Sequence, residues 1–380
     1  MRTVAIFKTA VLPSTQTFIQ SQVSALQEFQ PRYIGLERAL CGYPLDSEPI
    51  LLVKRRSLVN RVHKVVYKAT GISPQFHQEV AAIEPTLLHA HFVLDALHGL
   101  PIASALNLPL IVTLHGHIPT SFGKALPWNS SDHVLYRLRL QTLWHRAALF
   151  ICVSEFIRQR VLQMGYPANK LRVHYIGTDR RHFKPSNQPR DPRLILFVGR
   201  LVEKKGGTYL LRAMAAVKKD IPDARLVMIG DGPERSVLER LSRDLNLDVQ
   251  FAGERSPTEV KEWLCRARVF VGPSVTASDG EAEALGMVFA EAQATGLPVV
   301  SFLHGGIPEV VRHGETGLLA PERDSHALAN HILRFLHDDS FWHDCSERAL
   351  KWVEERFDLA KQTRQLERIY TSVLKGEQPE

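Results

Sequence analysis

Six short apolar runs, each closing on a glycine or a small polar residue, limit the folds open to this chain: "PLIVTLHG", "ALFICVS", "RLILFVGR", "RLVMIGDG", "VFVGPS" and "LPVVSF". They are continuously apolar rather than alternating, the pattern of strands buried on both faces in a parallel sheet. Helix-length amphipathic segments lie between them. "GTYLLRAMAAVKKD" (207–220) is one, and "ERSVLERLSRDLNL" (234–247) is another, with Val237, Leu238, Leu241 and Leu245 expected on one face. Strand and helix alternate in both halves, which predicts doubly wound α/β domains.

A chain of 380 residues that is 44% hydrophobic can bury two cores. The stretch "RRHFKPSNQPRDPR" (180–193), dense in Pro and charge, reads as the linker, which predicts Rossmann-like domains over 1–185 and 186–358. Residues 359–380 read as a closing helix, with Leu359, Leu366, Ile369, Tyr370 and Val373 towards a core. No tandem repeat points to a solenoid.

The net charge of +7 is unevenly placed. Residues 1–185 hold 21 Lys and Arg against 10 Asp and Glu, and the remainder 26 against 30. The first half is therefore expected to meet an anionic surface or acceptor, with lipid and nucleic acid both open. Basic residues are not interleaved with aromatics in an RNA-binding pattern, which ranks nucleic acid last. Cys41, Cys152, Cys265 and Cys345 are far apart, so neither a disulfide framework nor a zinc site is indicated. No apolar run approaches the roughly 20 residues of a membrane span, and a cytoplasmic protein is expected.

Ligands of open α/β domains bind at the carboxyl ends of the strands, where helix N-termini present free N–H groups. The stretch "GEAEALGMVFAEAQATGLPVV" fits that place. A helix starting near Gly286 or Met287 would place Glu283 in the preceding loop and Glu291 about a turn inside. The N–H groups of Gly286, Met287 and Val288 would lie between them. Carboxylates repel phosphate but accept paired hydrogen bonds from vicinal diols. The layout suits a phosphate between two polyols, as in a nucleotide sugar, although two acids at this spacing are ordinarily solvated surface residues.

The longer stretch "EAEALGMVFAEAQATGLPVVSFLHGGIPEVVRHGETGLL" resembles the donor-site signature of retaining glycosyltransferase family 4. In that family an E-x7-E pair leads into an EA-x-A-x-G-x-PVV helix and strand. "LFVGRLVEKKGGTYLLRA" resembles its G-R-x4-K-G segment, and "VMIGDGPERSVLERL" its G-x-G-P segment. "VQFAGERSPTEVKEWLCRARVFVGPS" is similar to its base-binding loop and strand. The resemblance implies a GT-B fold: two Rossmann-like domains facing a cleft, with the C-terminal helix crossing back to the N-terminal domain. It implies a retaining hexosyl- or hexosaminyl-transferase that takes a nucleoside-diphosphate sugar.

Carried over by residue, the resemblance puts Glu291 on the ribose and Glu283 on the donor sugar. Gly199, Arg200 and Lys205 fall to the diphosphate, with Lys204 a neighbour that could replace Lys205. The base falls to Gly253, Glu254 and Arg255. No D-x-D triplet offers a seat for a divalent metal, so no cofactor is expected and cations would stabilise the leaving group. The mechanism implied is front-face substitution, in which the leaving phosphate helps deprotonate the incoming hydroxyl.

In the first half, "LPSTQTFI" resembles a P-x-x-S-E-T-F-I loop of the exopolysaccharide branch, with Thr15 and Gln16 in place of Ser and Glu. Ser14, Thr15 and Gln16 would then serve the acceptor or diphosphate; a plain polar turn before a helix is the alternative. "VTLHGH" offers His115 to position the sugar, with His117 as competitor among 17 histidines. "HAHFVLDALHG" carries His89, His91, Asp95 and His98, read as acceptor-side polarity with a zinc site as the rival. Residues 53–70 form a basic amphipathic segment with Leu58, Val62, Val65 and Ala69 on one face. It reads either as a core-facing helix or as one docked on an anionic bilayer at the inner face of the membrane. Rivals to the transferase reading are a sugar-nucleotide epimerase of the same architecture and a non-catalytic lipid- or nucleic-acid-binding protein.

Overall fold

The computed structural model describes residues 1–11, 16–39, 47–54, 57–116 and 131–377. It divides into two compact units, Met1–Gly177 with Leu359–Glu380, and Thr178–Asp358. In the first unit the strands are β1 (Arg2–Val11), β2 (Phe29–Arg38), β3 (Ile50–Leu51), β4 (Pro85–His91), β5 (Leu110–Leu114), β6 (Ala147–Cys152) and β7 (Leu171–Val173). They form one parallel sheet in the order β3-β2-β1-β4-β5-β6-β7. The order reverses at β1 and β4, the kind of place where such sheets bind ligands. Their continuous apolar runs bury Val4, Ala5, Ile6 and Phe7 on β1 and Leu110, Ile111 and Val112 on β5.

The helix Leu359–Lys375 belongs to this unit, as expected of a C-terminal helix that returns. Leu366, Ile369 and Tyr370 join the core of β1 and β4. The Glu367 carboxylate accepts from the N–H groups of Gln27, Glu28 and Phe29 at 2.7, 2.6 and 3.3 Å, which fixes the chain entering β2.

The second unit contains β8 (Leu194–Val198), β9 (Arg225–Ile229), β10 (Val249–Gly253), β11 (Val269–Gly272), β12 (Val299–Phe302) and β13 (Gly317–Ala320). They are parallel, in the order β10-β9-β8-β11-β12-β13. The helix Gly207–Asp220 follows β8 and buries Leu210, Leu211, Met214 and Val217, one stripe at 3.6-residue spacing. In the helix Arg235–Asp244, Leu238 and Ser242 are buried, but Val237 is 51% exposed and not on the core face. Leu238, Leu241 and Leu245 suffice for the stripe; Val237 lies about 100° round the helix from Leu238. Cys152, Cys265 and Cys345 are free and buried; Cys41 lies outside the described residues.

Candidate functional site

In the second unit the predicted donor residues lie at or beyond the carboxyl ends of β8, β10 and β11. Gly199 and Arg200 follow β8. Gly199 N–H donates to Ile229 O (2.9 Å) and Leu201 N–H to Asp231 O (2.9 Å), so the Gly-Asp-Gly turn after β9 fixes this backbone. The Arg200 side chain is exposed and has no hydrogen bond or ion pair among the described residues. A 3-10 turn over Glu203–Lys205 follows, tied to the loop after β11 by Val275 N–H on Lys204 O at 2.8 Å. This turn sends its two lysines to different acids. Lys205 Nζ pairs with Glu283 Oε2, and Lys204 Nζ with Glu281 Oε1 at 2.5 Å.

Glu283 is 9% exposed. Burial alone would raise its carboxyl, but Lys205 and Lys204 outweigh it and hold the group below its usual range. Its hydrogen bonds fall on Oε2, from Lys205 and from Ser274 Oγ at 3.4 Å, and leave Oε1 for another donor. Its backbone is clamped. Glu283 N–H donates to His304 Nε2 (3.3 Å), Glu283 O accepts from Gly306 N–H (3.0 Å), and His304 Nδ1 faces Glu322 Oε2 at 3.2 Å. Gly305 permits this approach, since a Cβ there would stand 2.2 Å from Glu283 O and its φ is +57°. His304 and Glu322 went unassigned at the level of sequence. A lone His before Gly-Gly and a Glu after β13 carry no spacing that links them to Glu283.

The helix Met287–Ala294 starts at Gly286, whose φ of +84° lies in the left-handed region. Its first N–H groups, on Met287 and Val288, have no intrahelical acceptor. Glu291, one turn in, is half-buried and without a bonding partner among the described residues. Burial pushes its carboxyl up to about 7. Phe289 anchors the helix by an edge contact with Phe270, 5.6 Å between centroids. Gly253 ends β10 and accepts from Gly230 N–H at 2.8 Å; Glu254 and Arg255 beyond it are exposed.

The first unit brings together a different set. His91 Nδ1 lies 2.9 Å from His115 Nε2. His89 packs against His91 with ring centroids 4.3 Å apart and the rings tilted by 33°, and bonds Tyr370 Oη at 2.6 Å and Thr113 Oγ1 at 2.7 Å. Lys8 Nζ pairs with Asp95 Oδ2 at 2.5 Å in the interior and sits 4.3 Å above the Phe92 ring. Phe92 has φ 73° and ψ 151°, a conformation that costs about 1–3 kcal/mol and tends to occur at functional positions. His98 is apart, 3.7 Å from Asp132. The zinc alternative has no cluster of three His, Cys, Asp or Glu suited to a metal among the described residues. Gln16 caps the helix Thr17–Ser24 without a side-chain bond; Ser14, Thr15 and His117 lie outside the described residues.

The basic segment is the helix Leu58–Thr70, opened by Ser57 Oγ accepting from Asn60 N–H and closed by Gly71. Its apolar face is turned outward rather than to the core. Leu58, Val62 and Val65 are 77%, 57% and 64% exposed, and Tyr67 alone is buried. Arg139 Nη2 on Ala69 O (2.6 Å) ties it to the helix Ser131–Arg146, where Val134 and Leu138 are exposed too. Arg55 and Arg56 lie outside the described residues.

Two parallel doubly wound units define an α/β protein of GT-B type, and the second carries two acids at a helix N-terminus. Residues 178–352 match the family of glycosyl transferases group 1, and residues 35–182 match glycosyltransferase family 4. The chain belongs to glycosyltransferase family 4, a family of enzymes. It is 37% identical over 212 residues to a protein of Escherichia coli K12 named for colanic acid biosynthesis, the glycosyltransferase WcaL, covering 54% of this chain and 52% of that one. It is 35% identical over 211 residues to the amylovoran biosynthesis glycosyltransferase AmsK of Erwinia amylovora, again covering 54% and 52%. The matched stretch thus spans about half the length of these relatives. Among solved structures, HepE of Anabaena in complex with UDP and glucose superposes with a TM-score of 0.76 at 20% identity, covering 98% of this chain and all of that one.

Proposed function

We propose that the second unit binds a nucleoside-diphosphate sugar and that the chain transfers its hexosyl or hexosaminyl group, with retention and without a divalent metal. The acceptor is a glycan or lipid-linked glycan in surface polysaccharide assembly. One observation carries the reading: two carboxylates in opposite states flank one free helix N-terminus. Glu283, ionised by Lys205, offers Oε1 to a hydroxyl of the sugar. Glu291, unpartnered and raised to about 7, offers a site where the ribose diol stabilises the ionised form. Between them the N–H groups of Met287 and Val288, with Arg200, supply the positive field for a diphosphate whose charge grows as it leaves. His115 and His91 of the first unit are assigned to the transferred sugar and its acceptor. The relatives named for colanic acid and amylovoran biosynthesis support the polysaccharide role.

A thermal-shift panel of UDP-, GDP- and ADP-sugars tests the donor reading. UDP-glucose comes first, since HepE was solved with UDP and glucose. One base should raise Tm in the wild type and not in Glu291→Ala; no shift with any of them overturns the reading. Activity abolished by EDTA would remove the metal-independent claim, and an inverted anomeric centre in the product the retaining one. An epimerised nucleotide sugar formed from donor alone would favour the epimerase.

The first unit is further assigned to an anionic membrane through the helix Leu58–Thr70. Leu58, Val59, Val62, Val65 and Val66 are exposed, and the helix has basic residues and no acidic one. Lys64 and Lys68 pair with Glu37 and Asp132, which leaves Arg61 as the helix's unpaired cation among the described residues; burying the apolar side chains while that charge meets a lipid phosphate, at about 1 kcal/mol, suits an enzyme whose acceptor is lipid-linked.

A further inference from the structure

The histidines inside the first unit are not equivalent: His89, His91, His98 and His174 are buried, His115 is part-buried, and His98 faces Asp132. His89 uses both ring nitrogens, on Tyr370 and Thr113, and His174 Nε2 bonds Gln362 O at 2.9 Å. His91 and His115 bond each other, Nδ1 to Nε2 at 2.9 Å. The outer nitrogen of each, His91 Nε2 and His115 Nδ1, is buried with no hydrogen-bond partner. An orphaned buried nitrogen is costly and calls for an explanation, and here two belong to one bonded pair.

Both rings lie well below the usual histidine range. Burial is the first cause, followed by His89, His115 and Lys8 for His91, and by Lys8 and His89 for His115. Each ring is therefore neutral at pH 7. A neutral imidazole has one N–H and one lone pair. A single bond between two such rings consumes one of each, so the outer nitrogens must differ: one donates and the other accepts. An anion would need two donors and a cation two acceptors. A hydroxyl group, which donates and accepts, suits either end.

We propose that His91 is a positioning residue that fixes the tautomer of His115, so that His115 Nδ1 and His91 Nε2 present a matched donor and acceptor to hydroxyl groups of the sugar or of its acceptor. The ligand class rests on the transferase reading above; the coupling of the two rings does not. His89 supports the arrangement by packing against His91, itself held by Tyr370 of the returning helix.

Nitrogen-15 NMR of the full chain with labelled histidine tests the coupling, with His115→Gln to assign the signals. In the wild type His115 should show one protonated and one bare nitrogen. In His91→Leu, checked for fold by circular dichroism, the two signals should move towards an average of tautomers. His91→Gln, whose amide reaches past the Nδ1 position, serves as a second removal. His91→Asn, which keeps a polar group near that position, should restore one tautomer. It should also recover the loss in kcat/KM of His91→Leu, about ten-fold for one hydrogen bond, while nucleotide affinity stays unchanged throughout. A His115 tautomer identical in wild type and both removals, or a cationic His115 at pH 7, overturns the proposal. Failure of the donor reading would appear separately, as absence of nucleotide-sugar binding with the NMR result intact.

Discussion

Glu291 should make donor binding depend on pH in a direction opposite to simple charge repulsion. Its carboxyl sits at about 7 because it is buried and unpaired. A ribose diol donates to the ionised form, so binding must remove the proton wherever one is present. About a tenth of the carboxyl is ionised at pH 6 and about nine-tenths at pH 8. If only that form binds, the apparent Kd falls about ten-fold between the two, and nearly one proton is released per ligand at pH 6. A nucleotide sugar is the right probe, since its bridged diphosphate carries no group that titrates in this range. Calorimetry in two buffers of different ionisation enthalpy reads affinity and proton release together. Glu291→Gln should bind more weakly, with an affinity flat from pH 6 to pH 8. Wild-type affinity that is flat across this range, or tighter at pH 6, would mean that the ribose does not bind the ionised Glu291 carboxylate.

Other consequences can be checked on the same preparations. Glu291 is raised from its ordinary 4.5 to about 7, so its contribution to stability is full below about 4.5 and is lost as pH rises to about 7; Glu291→Gln should therefore raise Tm at pH 8 and change little at pH 4. Lys8→Met would strand buried Asp95, at about 3–5 kcal/mol in denaturant titrations, with part recovered in Lys8→Met/Asp95→Asn; a loss under about 1 kcal/mol would contradict this. Gly305→Ala should push the Glu283 loop out and weaken donor binding about ten-fold or more while far-ultraviolet dichroism stays native. Val62→Glu/Val65→Glu should abolish co-sedimentation with anionic vesicles and leave Tm unchanged, since both side chains are exposed; vesicle binding that persists rejects the membrane face.

The strands were legible because continuous apolar runs leave few alternatives, and the six quoted runs coincide to within a residue with β5, β6, β8, β9, β11 and β12 or enclose them. The helix over 207–220 and the start at Gly286 followed from periodicity and from glycine at its boundary. What a face meets was less readable. Periodicity gave the helix Leu58–Thr70 an apolar side but could not say that it points to solvent, and it added Val237 to a stripe already complete without it. Pairings between distant segments stayed hidden for the same reason. Nothing local distinguishes Lys205 from Lys204, yet one pairs with Glu283 and the other with Glu281. The support of Glu283 by His304, and the bond between His91 and His115, depend on strand ends that only the folded sheets bring together.

Crystals soaked with the nucleotide sugar that gives the largest thermal shift will show where the donor lies. Its diphosphate is expected at the N–H groups of Met287 and Val288, its ribose on Glu291 and its sugar on Glu283 Oε1. Density elsewhere on the chain, with both carboxylates turned to water, would contradict this placement.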